Sequence, residues 1–133
     1  MTYPVVTLQP RRIAYTTSSG DPSTSDAFAR LEQVVPLRGN RFYATFDAQA
    51  MEYRAGVALR EGEPAEKYRL PEGVLASGKY ASAKLAGPFS EIVRQIAPTF
   101  AQMRAEHTRD PARLPIEFYK RQTEIILYLP VLE

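Results

Sequence analysis

The chain has no cysteine, no tryptophan and a single histidine, His107, among its 133 residues. Without thiols there is no disulfide, no cysteine nucleophile, no iron–sulfur cluster and no cysteine-ligated zinc. His107 has no second imidazole and no carboxylate cluster beside it in the sequence, so neither a metal site nor a serine–histidine pair is expected. No stretch approaches the ~18 apolar residues that would span a bilayer. The N-terminus, MTYPVVTLQPRR, lacks the charged start and long apolar run of a signal peptide. A cytoplasmic protein with no membrane partner is the expectation. Charge of one sign is also scarce. The 17 basic and 15 acidic residues are scattered and leave a net +2, which is no footprint for nucleic acid. No glycine-rich loop is present to cradle a phosphate, and no cofactor is expected.

What is there reads as an ordinary globular domain, 44% hydrophobic and 24% charged. One domain over residues 1–133 is expected, burying about 65–70% of the surface its unfolded chain would expose. Eight tyrosines suit an aromatic pocket, but they also suit an ordinary core, so the count decides nothing.

The order of elements is more telling. Val5–Thr17, rich in Val, Ile, Thr and Tyr, predicts a strand with a break or bulge at Pro10. A small polar loop follows over Ser18–Ser25. Ser25 or Asp26 can cap a helix whose apolar positions are Phe28, Leu31, Val34 and Val35, ended by Arg38-Gly39-Asn40. Arg41–Phe46 and Tyr53–Leu59 predict a hairpin. After a polar stretch containing GEPAEK the order recurs: a strand over Val74–Leu85, a helix over Phe89–His107 that Pro98 should kink or split, and strands over Ile116–Lys120 and Glu124–Val131. The pattern is strand–helix–strand–strand, twice, with repeats at about 3–60 and 73–132 and a linker at about 61–72. The expected fold is α+β, an antiparallel sheet with both helices on one face and a ligand groove on the other, between the halves.

The run GKYASAKLAGPFSEIVRQI, then PIEFYKR and EIILYLPVLE, resembles the GyrI-like (gyrase-inhibitor-like) small-molecule-binding domain. DAFARLEQVV, RFYATFD and YRAGVAL fit its first half. The resemblance covers about Val5 to Leu132. It implies two SHS2-like modules, and it is shared with the effector-binding part of AraC-type and MerR-type transcription regulators. No DNA-binding module precedes the domain in this chain, so a sensor without a reader is expected. Regulator or gyrase partners follow from the family by analogy alone.

Alternation assigns the groove residues. Ile116 and Phe118 are expected to face the helices, which sends Glu117 and Tyr119 to the open side. In the last strand Ile125, Leu127, Leu129 and Val131 belong to the core, so Ile126 and Tyr128 should share the groove with Glu117. The internal repeat adds Tyr43, Thr45 and Arg54 on the groove side, with Phe42 and Phe46 in the core. Tyr15 and Tyr80 are left open by parity. The resemblance places Glu117 at the pocket floor, facing cationic aromatic ligands by charge pairing and cation–π attraction. It departs at Ile126, where the family often has a second Glu. Binding without catalysis is the favoured expectation. The alternative is a hydrolase, because some free-standing members are similar to enzymes that open strained cyclopropane rings. There Glu117 would act as general base, with Tyr119 or Tyr128 as the hydroxyl donor to an oxyanion. Arg54 would pair with Glu117, bind an anionic ligand group, or snorkel to the rim.

Overall fold

The structure, a computed structural model, describes residues 3–19 and 26–132. Its elements run β1 (Val5–Leu8), β2 (Arg11–Ser19), α1 (Ala27–Glu32), β3 (Phe42–Asp47), β4 (Glu52–Ala58), β5 (Glu72–Leu75), β6 (Gly78–Ala86), α2 (Phe89–Glu106), β7 (Ile116–Arg121) and β8 (Glu124–Pro130). The class is α+β with antiparallel pairing, as the sequence pattern predicts.

The chain divides into two compact units, one built from β2, α1, β3, β4 and β5, the other from β1, β6, α2, β7 and β8. In the first the strand order is β5-β2-β4-β3, in the second β1-β6-β8-β7. Both units therefore repeat one plan: a short edge strand, the long strand, then the two strands of the hairpin.

The edge strands extend the sequence reading. Val5–Thr17 is broken at Pro10 as expected, its missing N–H ending the ladder, and the two pieces join different long strands. Val5 pairs with Ala81 of β6, whereas Ile13 pairs with Ala58 of β4. Val74–Leu85 breaks in the same way at Ala76-Ser77, before Gly78 at φ +133°, a conformation that favours glycine. The short piece before each long strand thus serves as edge strand in the other unit. Between β4 and β5 a 3-10 turn, Ala65–Tyr68, buries Ala65, and the stretch is tied to β2 by Arg12 to the Glu63 carbonyl (2.8 Å) and Tyr15 N–H to the Pro71 carbonyl (3.1 Å).

The helices differ from expectation in length. α1 stops at Glu32 rather than running on to Arg38-Gly39-Asn40, and Pro36, which disfavours helical backbone at Val35, prevents its continuation beyond one further turn. Val35 is still buried and Val34 is exposed. Ser25, one of the two expected caps, lies outside the described residues. Asp26 holds the cap position, but its carboxylate pairs with Arg30 at 3.2 Å instead of capping an N–H. α2 runs unbroken through Pro98, which was expected to kink or split it. Pro98 and Arg94 are both exposed, so the Arg94 carbonyl that loses its partner can bond water.

One side of α2 supplies Ile92, Phe100 and Met103 to a core with Ala81, Ala83, Leu85, Ile125, Leu127 and Leu129. Each fully buried Leu or Ile there contributes about 1.5–3 kcal/mol. The loop after α2 is clamped by Arg113. Its guanidinium lies 4.8 Å from the Tyr80 ring centroid, pairs with Asp110 at 2.9 Å and donates to the carbonyls of Ser77, Lys79 and Val131. Among the described residues no helix is long and apolar enough to cross a membrane.

Candidate functional site

The site is built by one irregularity in the β7–β8 hairpin. Gln122 and Thr123 form the turn, and Arg121 faces Glu124 across it. A regular ladder from that turn would set Tyr119 opposite Ile126 and Glu117 opposite Tyr128, which is the arrangement simple alternation predicts. Instead the register shifts between Tyr119 and Arg121, so Tyr119 faces Ile125 and Glu117 faces Leu127. Lys120 is the extra residue of a β-bulge, and a one-residue slip turns every side chain beyond it to the other face. Ile125, Leu127 and Leu129 pack under α2. Glu117 and Tyr119 consequently lie on the α2 side, and Ile116 and Phe118 on the side away from it. The expected orientation of β7 is reversed.

Glu117 is only 8% exposed, and its carboxylate accepts a 2.5 Å hydrogen bond from the Tyr119 hydroxyl. The Tyr119 ring packs against the α2 core and lies 6.4 Å from the ring of Phe89, tilted by 46°. Phe89 is 48% exposed, and Val93, one helical turn on, is exposed too. A buried carboxylate with a hydroxyl donor, beside a partly buried tyrosine and a half-exposed phenylalanine ring, offers charge and π-surface to a delocalised cation. Phe89 is the member sequence reasoning missed, read only as the first residue of the helix. Its spacing from Val93 is the signal that both lie at the margin of the α2 core.

The remaining expected site residues lie elsewhere. Tyr128 and Ile126 are on the side of β8 away from α2, opposite Ser82 and Lys84 of β6. Tyr128 meets the buried Tyr80 edge to face at 6.2 Å. Tyr128 therefore does not share a face with Glu117. In the other unit, α1 lies on the side of Thr16 and Tyr53: the Thr16 hydroxyl donates to the Ala27 carbonyl at 2.7 Å, and Phe28 meets Tyr53 at 6.3 Å. Tyr43, Thr45 and Arg54 occupy the opposite side by register, as expected, with Tyr15 beside them. Arg11 lies 5.9 Å from the Tyr43 ring centroid. Burial pushes the Tyr43 hydroxyl above its ordinary pKa, and Arg11 and Arg41 pull it partly back. Arg54 stacks on Tyr15 at 4.3 Å and pairs with Glu52 at 2.7 Å. Among the described residues no three His, Asp or Glu side chains are grouped to hold a metal ion.

No known protein-family profile matches the chain, and no curated protein matches it either. Solved structures do share the fold. An integron cassette protein from the mobile metagenome of Vibrio cholerae superposes with a TM-score of 0.73 at 11% identity, covering 98% of this chain and 95% of that one. SAV2435, solved bound to tetraphenylphosphonium, gives 0.64 at 15% identity, covering 98% and 94%. A hydrolase from Listeria innocua gives 0.61 at 15% identity, covering 98% and 91%. At these identities the likeness establishes the fold.

Proposed function

We propose that the protein binds a small aromatic cation at Glu117, Tyr119 and Phe89. The observation that carries this reading is the buried Glu117 carboxylate, held by the Tyr119 hydroxyl next to a half-exposed aromatic ring. A carboxylate at 8% exposure attracts a cation more strongly than one in open water, and the neighbouring ring adds cation–π attraction. Support comes from a fold neighbour that binds tetraphenylphosphonium, a delocalised aromatic cation, and from the GyrI-like resemblance of the sequence. Calorimetric titration with tetraphenylphosphonium tests it. Glu117→Gln keeps the shape and removes the charge, and should weaken binding by about tenfold or more. Equal affinity in the two proteins would remove Glu117 from the account.

A hydrolytic reading draws on the same pair. Glu117 would activate water as a general base, and the adjacent Tyr119 hydroxyl would serve as the donor to the developing oxyanion. Tyr128, on the other face, is replaced in that role by Tyr119. Incubation with an electrophilic cyclopropane should then give turnover that Glu117→Ala abolishes. No turnover above that variant ends this reading.

A further inference from the structure

The unit carrying β2, β3 and β4 holds a second polar constellation, on the side away from α1. Thr17, Arg54 and Thr45 stand opposite one another on β2, β4 and β3, forming one rung across three strands. Neighbouring strands are about 4.8 Å apart, so Thr17 and Thr45 flank the arginine on one face of the sheet, Thr45 buried at 8% exposure. The next rung on the same face is Tyr15, Gly56 and Tyr43.

Arg54 is held on two sides. Tyr15 lies under its guanidinium at 4.3 Å, and Glu52 accepts from its Nε at 2.7 Å. Its two terminal amino groups make no hydrogen bond to the described residues, and its side chain is 37% exposed. The ion pair with Glu52 therefore occupies the Nε edge and leaves the end-on pair of donors open. A guanidinium fixed by stacking and by one carboxylate has already lost most of its rotamer freedom. Its free fork matches two oxygens of a carboxylate or phosphate.

We infer that the Thr17–Arg54–Thr45 rung is an oxyanion site, taking a carboxylate or phosphate group end-on at Arg54, with the threonine hydroxyls as donors to a third oxygen. A tetrahedral phosphate uses all three residues, and a planar carboxylate uses the arginine alone. Arg54 and Glu117 belong to different units of the chain.

The test is a 1H–15N NMR titration of the full chain with inorganic phosphate and, separately, benzoate, at constant ionic strength. Saturable shifts should centre on the Arg54 side-chain Nε–H and on the Thr17 and Thr45 amides. Arg54→Gln should abolish both responses, and Arg54→Lys, which keeps the charge without the fork, should weaken both. The pair Thr17→Val and Thr45→Val should weaken phosphate by about tenfold and leave benzoate unchanged. Shifts that survive Arg54→Gln, or that spread over surface lysines without centring on this rung, overturn the assignment. Should Arg54→Gln fail to fold, the wild-type shift map and Arg54→Lys still decide it.

Discussion

Glu117 and Tyr119 are two residues apart on one strand, so their side chains share a face whatever the register, and the 2.5 Å bond between them follows from that spacing. A hydroxyl donating to a charged acceptor contributes about 1.5–3 kcal/mol. Tyr119→Phe should therefore lower stability to urea by an amount in that range while leaving the ring against Phe89. A loss below about 0.5 kcal/mol would mean the bond contributes little. Arg113 is the stronger structural residue. It makes three bonds to backbone carbonyls from a stacked position on Tyr80, and nothing in the sequence marks it out from the other basic residues. Arg113→Ala should cost about 2–3 kcal/mol, because the carbonyls of Lys79 and Val131 lose a charged donor. Thermal unfolding within a degree of wild type would contradict this.

At the scale of elements, the repeated order of strands and helix could be read from apolar periodicity and turn residues. The breaks at Pro10 and Ala76-Ser77 could not be placed in space, because local pattern does not say which long strand a short one joins. The face of β7 was misread for a more specific reason. Both of its faces are acceptable by hydrophobicity, Ile116 with Phe118 on one and Tyr119 on the other, so pattern cannot choose the register. The choice is made by the bulge at Lys120. Lys120 and Arg121 both approach the buried carboxylate of Glu124, at 3.7 and 3.9 Å, and Lys84 joins them at 3.5 Å. A consequence can be checked. Deleting Lys120 removes the extra residue, and the regular ladder from the Gln122–Thr123 turn then pairs Tyr119 with Ile125 unaided. The variant should keep Glu117 opposite Leu127 in cross-strand NOEs and keep its affinity for tetraphenylphosphonium. An NOE between Glu117 and Tyr128 in that variant would refute the role given to the bulge. In the other hairpin no such shift intervenes, and the sides expected for Tyr43, Thr45 and Arg54 were read correctly.

Over the whole molecule, composition excluded thiol chemistry and pointed to a foldable domain with no strong charge, while the neighbours in structure space establish the architecture and leave the ligand to be argued from the site. Stability should respond to acid in a defined window. The carboxyl of Asp110 is held below its ordinary 3.8 by Arg113 and by the Ala112 N–H. Those of Glu63 and Glu72 are held below 4.5, by Lys67 and Arg12 respectively. In each case the unfolded chain takes up the proton first as pH falls, so the stabilisation is complete above the ordinary carboxylate values and is lost as pH drops through them and on to the lowered folded values. The melting temperature should be flat from neutrality to about pH 5 and fall below it. Asp110→Asn should make the fall shallower, and an unchanged acid slope would show that this pair contributes little.

The most direct measurement of the central claim is where tetraphenylphosphonium contacts the folded chain, read from intermolecular NOEs between its phenyl protons and assigned aromatic side chains. The account predicts contacts to Phe89 and Tyr119 that disappear in Glu117→Gln. Contacts to Tyr80 and Tyr128 instead, on the side away from α2, would contradict it.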